Sequence, residues 1–130
     1  MRNLVCALLF LHQTGHLFRV GPDGAPLCRA PQNPPPDATQ ARALLRTHPA
    51  ELVALLAWPV ASWEAVARFG HADAVLYPYL GGEVQTAAGP ARLLRVLSGR
   101  AEVHRPGEAR TEIIPAAEIR PPQGGAARAV

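Results

Sequence analysis

The side chains best placed for chemistry in this sequence are arginines set among hairpin turns. Arg92, Arg95, Arg100 and Arg105, with His104, all fall between Pro90 and Pro106. A guanidinium is permanently charged and presents a planar fork of donors that matches phosphate or carboxylate oxygens. Such a group can hold the phosphates of a nucleic acid without reading its bases. Tyr77 and Tyr79, in "LYPYLGG", offer rings that either stack on a ligand or fill the joint between helical and stranded segments. Glu83, Glu102, Glu108, Glu112 and Glu118 are interleaved with the arginines. The same residues therefore also suit the solvated exterior of a small β structure.

Other chemistry has less to work with. Cys6, His12, His16 and Cys28 supply four possible zinc ligands, but neither cysteine belongs to a pair at metal-knuckle spacing. The helical spacing of His12 and His16 is interrupted by Thr14 and Gly15, which read as a turn. Cys6 lies inside an apolar run that offers a thiolate no stabilising charge, so no Cys and His nucleophilic pair is expected. The glycines at 81, 82 and 89 belong to hairpin turns rather than to a phosphate loop. The expectation is a protein with no catalytic residues, no metal and no cofactor, whose two thiols are free and buried.

At 130 residues, 48% of them hydrophobic, the chain is long enough for one ordinary domain or two small modules. Its 14 prolines and 11 glycines imply many turns. The net charge of +3 comes entirely from arginine, since there is no lysine, and acids match bases closely along the chain. No polybasic arm exists, so an electrostatic case for nucleic acid must rest on one face of the fold. The opening "MRNLVCALLFLHQTGH" has an apolar run, Leu4 to Leu11, that is short for a signal and far short of the ~20 residues a membrane helix needs. It reads as a buried strand in a cytoplasmic protein with no membrane partner.

The elements follow from turn chemistry and periodicity. Residues 1–29 read as a β-meander, "LVCALLFL", "HLFRV" and "APLCR", with turns at "HQTG" and "GPDG"; Pro22 and Gly24 suit the second turn. Residues 30–37 form a proline-rich linker. Residues 38–70 hold two to three short helices, with Asp37 as a cap, Pro49 at a first helical position, Ser62 as a cap and Gly70 as a stop. In residues 71–121, strands are predicted at "EVQT", "ARLLRVL", "RAEVHR" and "RTEII", then a turn "PAAE" and a half-strand "IRP". The apolar residues of "ARLLRV" break strict alternation near Leu94 and Arg95, as a bulge would make them. Residues 122–130 are expected to be a disordered tail.

Two resemblances can be drawn on these residues. The stretch "ELVALLAWPVASWEAVARF", residues 51–69, is loosely similar to a helix-turn-helix, but its second helix offers a groove only Ser62, Glu64 and Arg68, a poor set for base reading. "GPARLLRVLSGRAEVH" and "IIPAAEIRP" resemble the strands, hairpin and closing turn of SH3-like small β-barrels of the KOW type. That resemblance implies a binding or docking module without catalytic residues, whose ligand class the fold does not determine.

The expected architecture is α+β: an N-terminal β-hairpin or meander, two to three short helices and a C-terminal SH3-like barrel. The expected function is a small non-enzymatic regulatory protein that binds nucleic acid through Arg92, Arg95, Arg100, His104, Arg105, Tyr77 and Tyr79. The alternative is a protein interaction adaptor that docks on a larger complex through the barrel or the helical hairpin.

Overall fold

A computed structural model describes residues 2–122 and is mixed α+β, with helices, a two-stranded sheet and a four-stranded sheet. The chain divides into two compact units, one ending at Ala57 and the other beginning at Trp58. That division cuts the expected helical segment 38–70, and the stretch likened to a helix-turn-helix is parted between the units. The expected tail lies, but for Pro122, outside the described residues.

The first unit opens with a helix where a strand was expected. Helix α1 spans Arg2–Gln13, and Leu4, Val5, Leu8 and Leu11, all 5% exposed or less, lie on one side of it. An eight-residue apolar run fits a covered strand or a helix equally well by periodicity. Here α1 packs against α2, Ala38–Arg46, so only one face is covered, and helical geometry buries the four residues while turning Cys6 to solvent. The run is also rich in leucine, with Val5 its one β-branched residue, a composition that favours a helix. "HQTG" is accordingly a helix end and not a hairpin turn. Gly15 takes φ 93°, the amide of His16 donates to the Leu11 carbonyl at 2.9 Å, and that of Gly15 to His12 at 3.2 Å. These are the two bonds that close a helix on a left-handed residue.

Strands β1, Leu17–Val20, and β2, Pro26–Arg29, form the predicted hairpin. Its "GPDG" turn is held by Gly24 at φ 84° and by the Ala25 amide donating to Asp23 Oδ1 at 3.2 Å. Asp37 stands at the N-cap position of α2 without a side-chain cap bond. Pro49 opens α3, Pro49–Leu56, as expected.

In the second unit, α4 spans Val60–Phe69 and ends on Gly70 at φ 83°. Its N-cap is Pro59, not Ser62. Ser62 instead lies fully buried and donates to the Val75 carbonyl at 2.7 Å, tying α4 to a 3-10 helix, Ala72–Tyr79. Asp73 of that helix accepts the Gly99 amide at 2.7 Å. Strands β3, Glu83–Thr86, β4, Gly89–Leu97, β5, Arg100–His104, and β6, Glu112–Pro115, follow one another in an antiparallel meander. After β6 comes a 3-10 turn, Ala116–Glu118. Gln85 and Arg120 then exchange backbone bonds of 2.9 and 2.8 Å, which returns the chain to β3. Val84, Leu93, Val103 and Ile119 are essentially inaccessible inside this sheet.

The expected bulge is present. Leu93 faces Val103 and Arg95 faces Glu102, so Leu94 is the extra residue. It stays 38% exposed beside a Leu93 at 0%. Leu93→Ala should therefore cost about 2–5 kcal/mol as a core truncation, while Leu94→Ala should change stability by no more than about 0.5 kcal/mol. Equal losses for the two in denaturant melts would place the register elsewhere.

Candidate functional site

The arginines of the second unit do not form one free cluster. Arg95 Nε donates to Glu102 Oε1 at 3.0 Å, its partner across the ladder, and Thr111 donates to the other oxygen of the same carboxylate at 2.9 Å. Arg105 is half-buried, donating from Nε to Glu112 Oε2 at 2.9 Å and from Nη1 to Thr86 Oγ1 at 2.7 Å. Thr86 in turn donates to the Gly89 carbonyl at 2.8 Å. Arg105 thus joins the ends of β3 and β6 and has little left to offer a phosphate. Arg92 and Arg100 are exposed on the outer face and form no ion pair among the described residues. Arg92 stands in the ladder between Glu83 and His104, and these three share a shallow groove of about 340 Å³. His104 Nε2 lies 2.7 Å from the Glu108 carbonyl, an acceptor only, so it donates back to its own turn.

The two tyrosines belong to the joint, not to an open stacking platform. Tyr79 is half-buried against Trp58, with ring centroids 5.5 Å apart, and burial pushes its phenol above the usual range. Tyr77 packs edge-on against Phe69 at 4.9 Å, and its hydroxyl is 3.0 Å from His71 Nε2. Both thus fasten the 3-10 helix within the second unit.

Side chains absent from the expected site occupy the same outer face. Leu94, 38% exposed, and Ile113, 51% exposed, flank the Arg95 and Glu102 pair. The broken alternation of "ARLLRV" was their signal for Leu94. Nothing local distinguished Ile113 from Ile114, its buried neighbour.

The four residues considered as possible zinc ligands differ in their surroundings. His16 is fully buried, and its Nδ1 lies 3.1 Å from the Leu11 carbonyl, which can only accept. Among the described residues no group of three or more His, Cys, Asp or Glu is arranged to hold a metal ion. The thiols are a correction: Cys6 and Cys28 are free and exposed, not buried. Helical geometry turns Cys6 outward, and Cys28 lies on a ribbon with an open face. Partial burial still pushes the Cys28 thiol above its ordinary value, while the charges of Arg42 and Arg46 act in the opposite sense.

Among the described residues no helix is long and apolar enough to cross a membrane. No protein-family model matches the chain, and no curated protein or solved structure matches it either.

Two measurements test this geometry. The folded protein should take up two equivalents of a thiol reagent without denaturant, and Arg42→Gln with Arg46→Gln should slow Cys28 at fixed pH, because the charges that lower its pKa are gone. Arg105→Ala should lower stability by about 1–2 kcal/mol, the value of a partly screened charged hydrogen-bond pair. Arg92→Ala, at an exposed position, should change it by less than about 0.5 kcal/mol. Equal effects in thermal melts would remove Arg105 from its closing role.

Proposed function

We propose that the second unit is a non-enzymatic binding module of the SH3-like kind, and that the outer face of its sheet docks a protein segment bearing both acidic and apolar side chains. The observation that carries this proposal is the pairing of the face. Arg95 is neutralised by Glu102, while Leu94 and Ile113 stand exposed on either side of the pair. A surface built to hold phosphates keeps its guanidiniums free for oxygens and seldom sets leucine and isoleucine between them. Protein interfaces combine an apolar centre with a polar rim, and charge at the rim steers the partner. Arg92 and Arg100 supply that rim. Support for the SH3-like class comes from the hairpin of β4 and β5 and the closing 3-10 turn, on which the sequence resemblance was drawn, and from the bulge in β4 and the backbone bridge from Arg120 to β3. We place the protein in the cytoplasm, in keeping with its free thiols.

Binding of nucleic acid by the same face is a second proposal, supported by Arg92 and Arg100, which form no ion pair among the described residues. It involves two phosphates rather than four. Log K should then fall with log salt at a slope of about 1.4–1.8, from roughly 0.7–0.9 per phosphate.

One experiment separates the two. Tagged protein is recovered from native lysate treated with nuclease, alongside Leu94→Glu and Ile113→Glu. We expect a stoichiometric protein partner that survives nuclease, is bound directly by the purified chain, and is lost from both variants while their melting temperatures hold. If nuclease strips the partner and purified chain binds DNA or RNA with the stated salt slope, lost in Arg92→Glu with Arg100→Glu, the protein-docking proposal fails. Absence of both kinds of binding overturns the pair.

A further inference from the structure

The first unit carries an open groove that the outer face of the sheet does not involve. It has a volume of about 400 Å³, within the range of small-molecule pockets, about 300–1,000 Å³. Phe18 of β1 lines it together with Leu45 of α2 and Leu52 of α3, the last two buried at 3% and 5% exposure. Cys28 of β2 opens into it. Arg42 and Arg46 stand over the same space.

The charges make this groove more than an apolar crease. Arg42 and Arg46 are four residues apart on α2 and so are neighbours on one helix face, where like charges repel. Helix α2 contains no acidic residue to relieve them, no acid lines the groove, and neither arginine has an ion pair among the described residues. Glu51, the next acid along the chain, lies 3.9 Å from His48 Nδ1. An anion between the two guanidiniums would receive charge-assisted hydrogen bonds and remove their repulsion at once.

We propose that this groove binds an amphipathic anion from solution, with a carboxylate or phosphate headgroup held by Arg42 and Arg46 and an alkyl or aryl body against Phe18, Leu45 and Leu52. An uncharged molecule of the same body would reach the apolar floor but leave the arginines unsatisfied. A headgroup without a body would meet two cations, half-buried Arg42 and exposed Arg46, and no shape. Both parts are needed for useful affinity, because apolar burial supplies most of the free energy and the paired cations supply selectivity.

Cys28 gives the test its reporter. With Cys6→Ser as background, the rate of Cys28 alkylation by iodoacetamide is followed in the presence of decanoate, decyl phosphate or decanol. Decanoate and decyl phosphate should saturate, and each should protect at a concentration about tenfold below that needed for decanol, the factor that one net charged contact of 1.4 kcal/mol provides. A preference between the two anions assigns the headgroup. In Arg42→Gln with Arg46→Gln, measured against its own ligand-free rate, the anions should protect no better than decanol, with the helical circular dichroism unchanged. Equal protection by anions and alcohol in the unsubstituted chain overturns the proposal, as does the absence of saturable protection up to the solubility limit. Should the double variant fail to fold, the contrast in the unsubstituted chain still decides.

Discussion

A sheet of four short strands must have one face covered to be stable, and in the second unit Arg105 ties its two edge strands together. Its guanidinium reaches Glu112 at the start of β6 and Thr86 at the end of β3, the two edge strands of the meander. Backbone bonds between Gln85 and Arg120 make a second join. Edge strands left open expose unpaired amides and carbonyls. Here one side chain and one bridge return the last segment to the first strand. Val84, Val103 and Ile119 are buried beside these joins.

The same economy decides what the exterior can do. An arginine that fastens a fold cannot also be free for a ligand, and Arg105 is committed. Arg95 is paired beside the bulge, and Arg92 and Arg100 are the arginines of that face without an ion pair among the described residues. The bulge has a further consequence. To keep Leu93 inward and let the strand bend, one residue must be thrown outward, and that residue is a leucine. Its exposure is a product of curvature as much as of the choice of side chain.

The first unit obeys a different constraint, that of one helix face covered by another. Coverage by α2 makes α1 a helix, and its cap on Gly15 brings the chain round to the hairpin. Helix α2 then serves two purposes: Ala38 and Leu45 are buried, while Arg42 and Arg46 are left over the groove. A helix face with two like charges and no acid is electrostatically incomplete, which makes it chemically the most specific feature of this unit.

Much of this was legible from local signals. Turn chemistry located the hairpin at "GPDG", Pro49 and Gly70 marked helix ends, and alternation with one irregularity located four strands and the bulge at Leu94. These are interactions between residues close in sequence, so the sequence alone determined them. Tertiary structure decided the rest, because it depends on what covers each face. Whether Leu4 to Leu11 is a strand or a helix turned on how many of its sides are covered, and with it the exposure of Cys6. Which arginines are free turned on pairings such as Arg95 with Glu102 and Arg105 with Thr86, set by strand register and closure. The convergence of Phe18, Cys28, Arg42 and Leu52 on one groove needed four elements in place. Periodicity reports that a face is apolar or charged; only packing decides what that face meets.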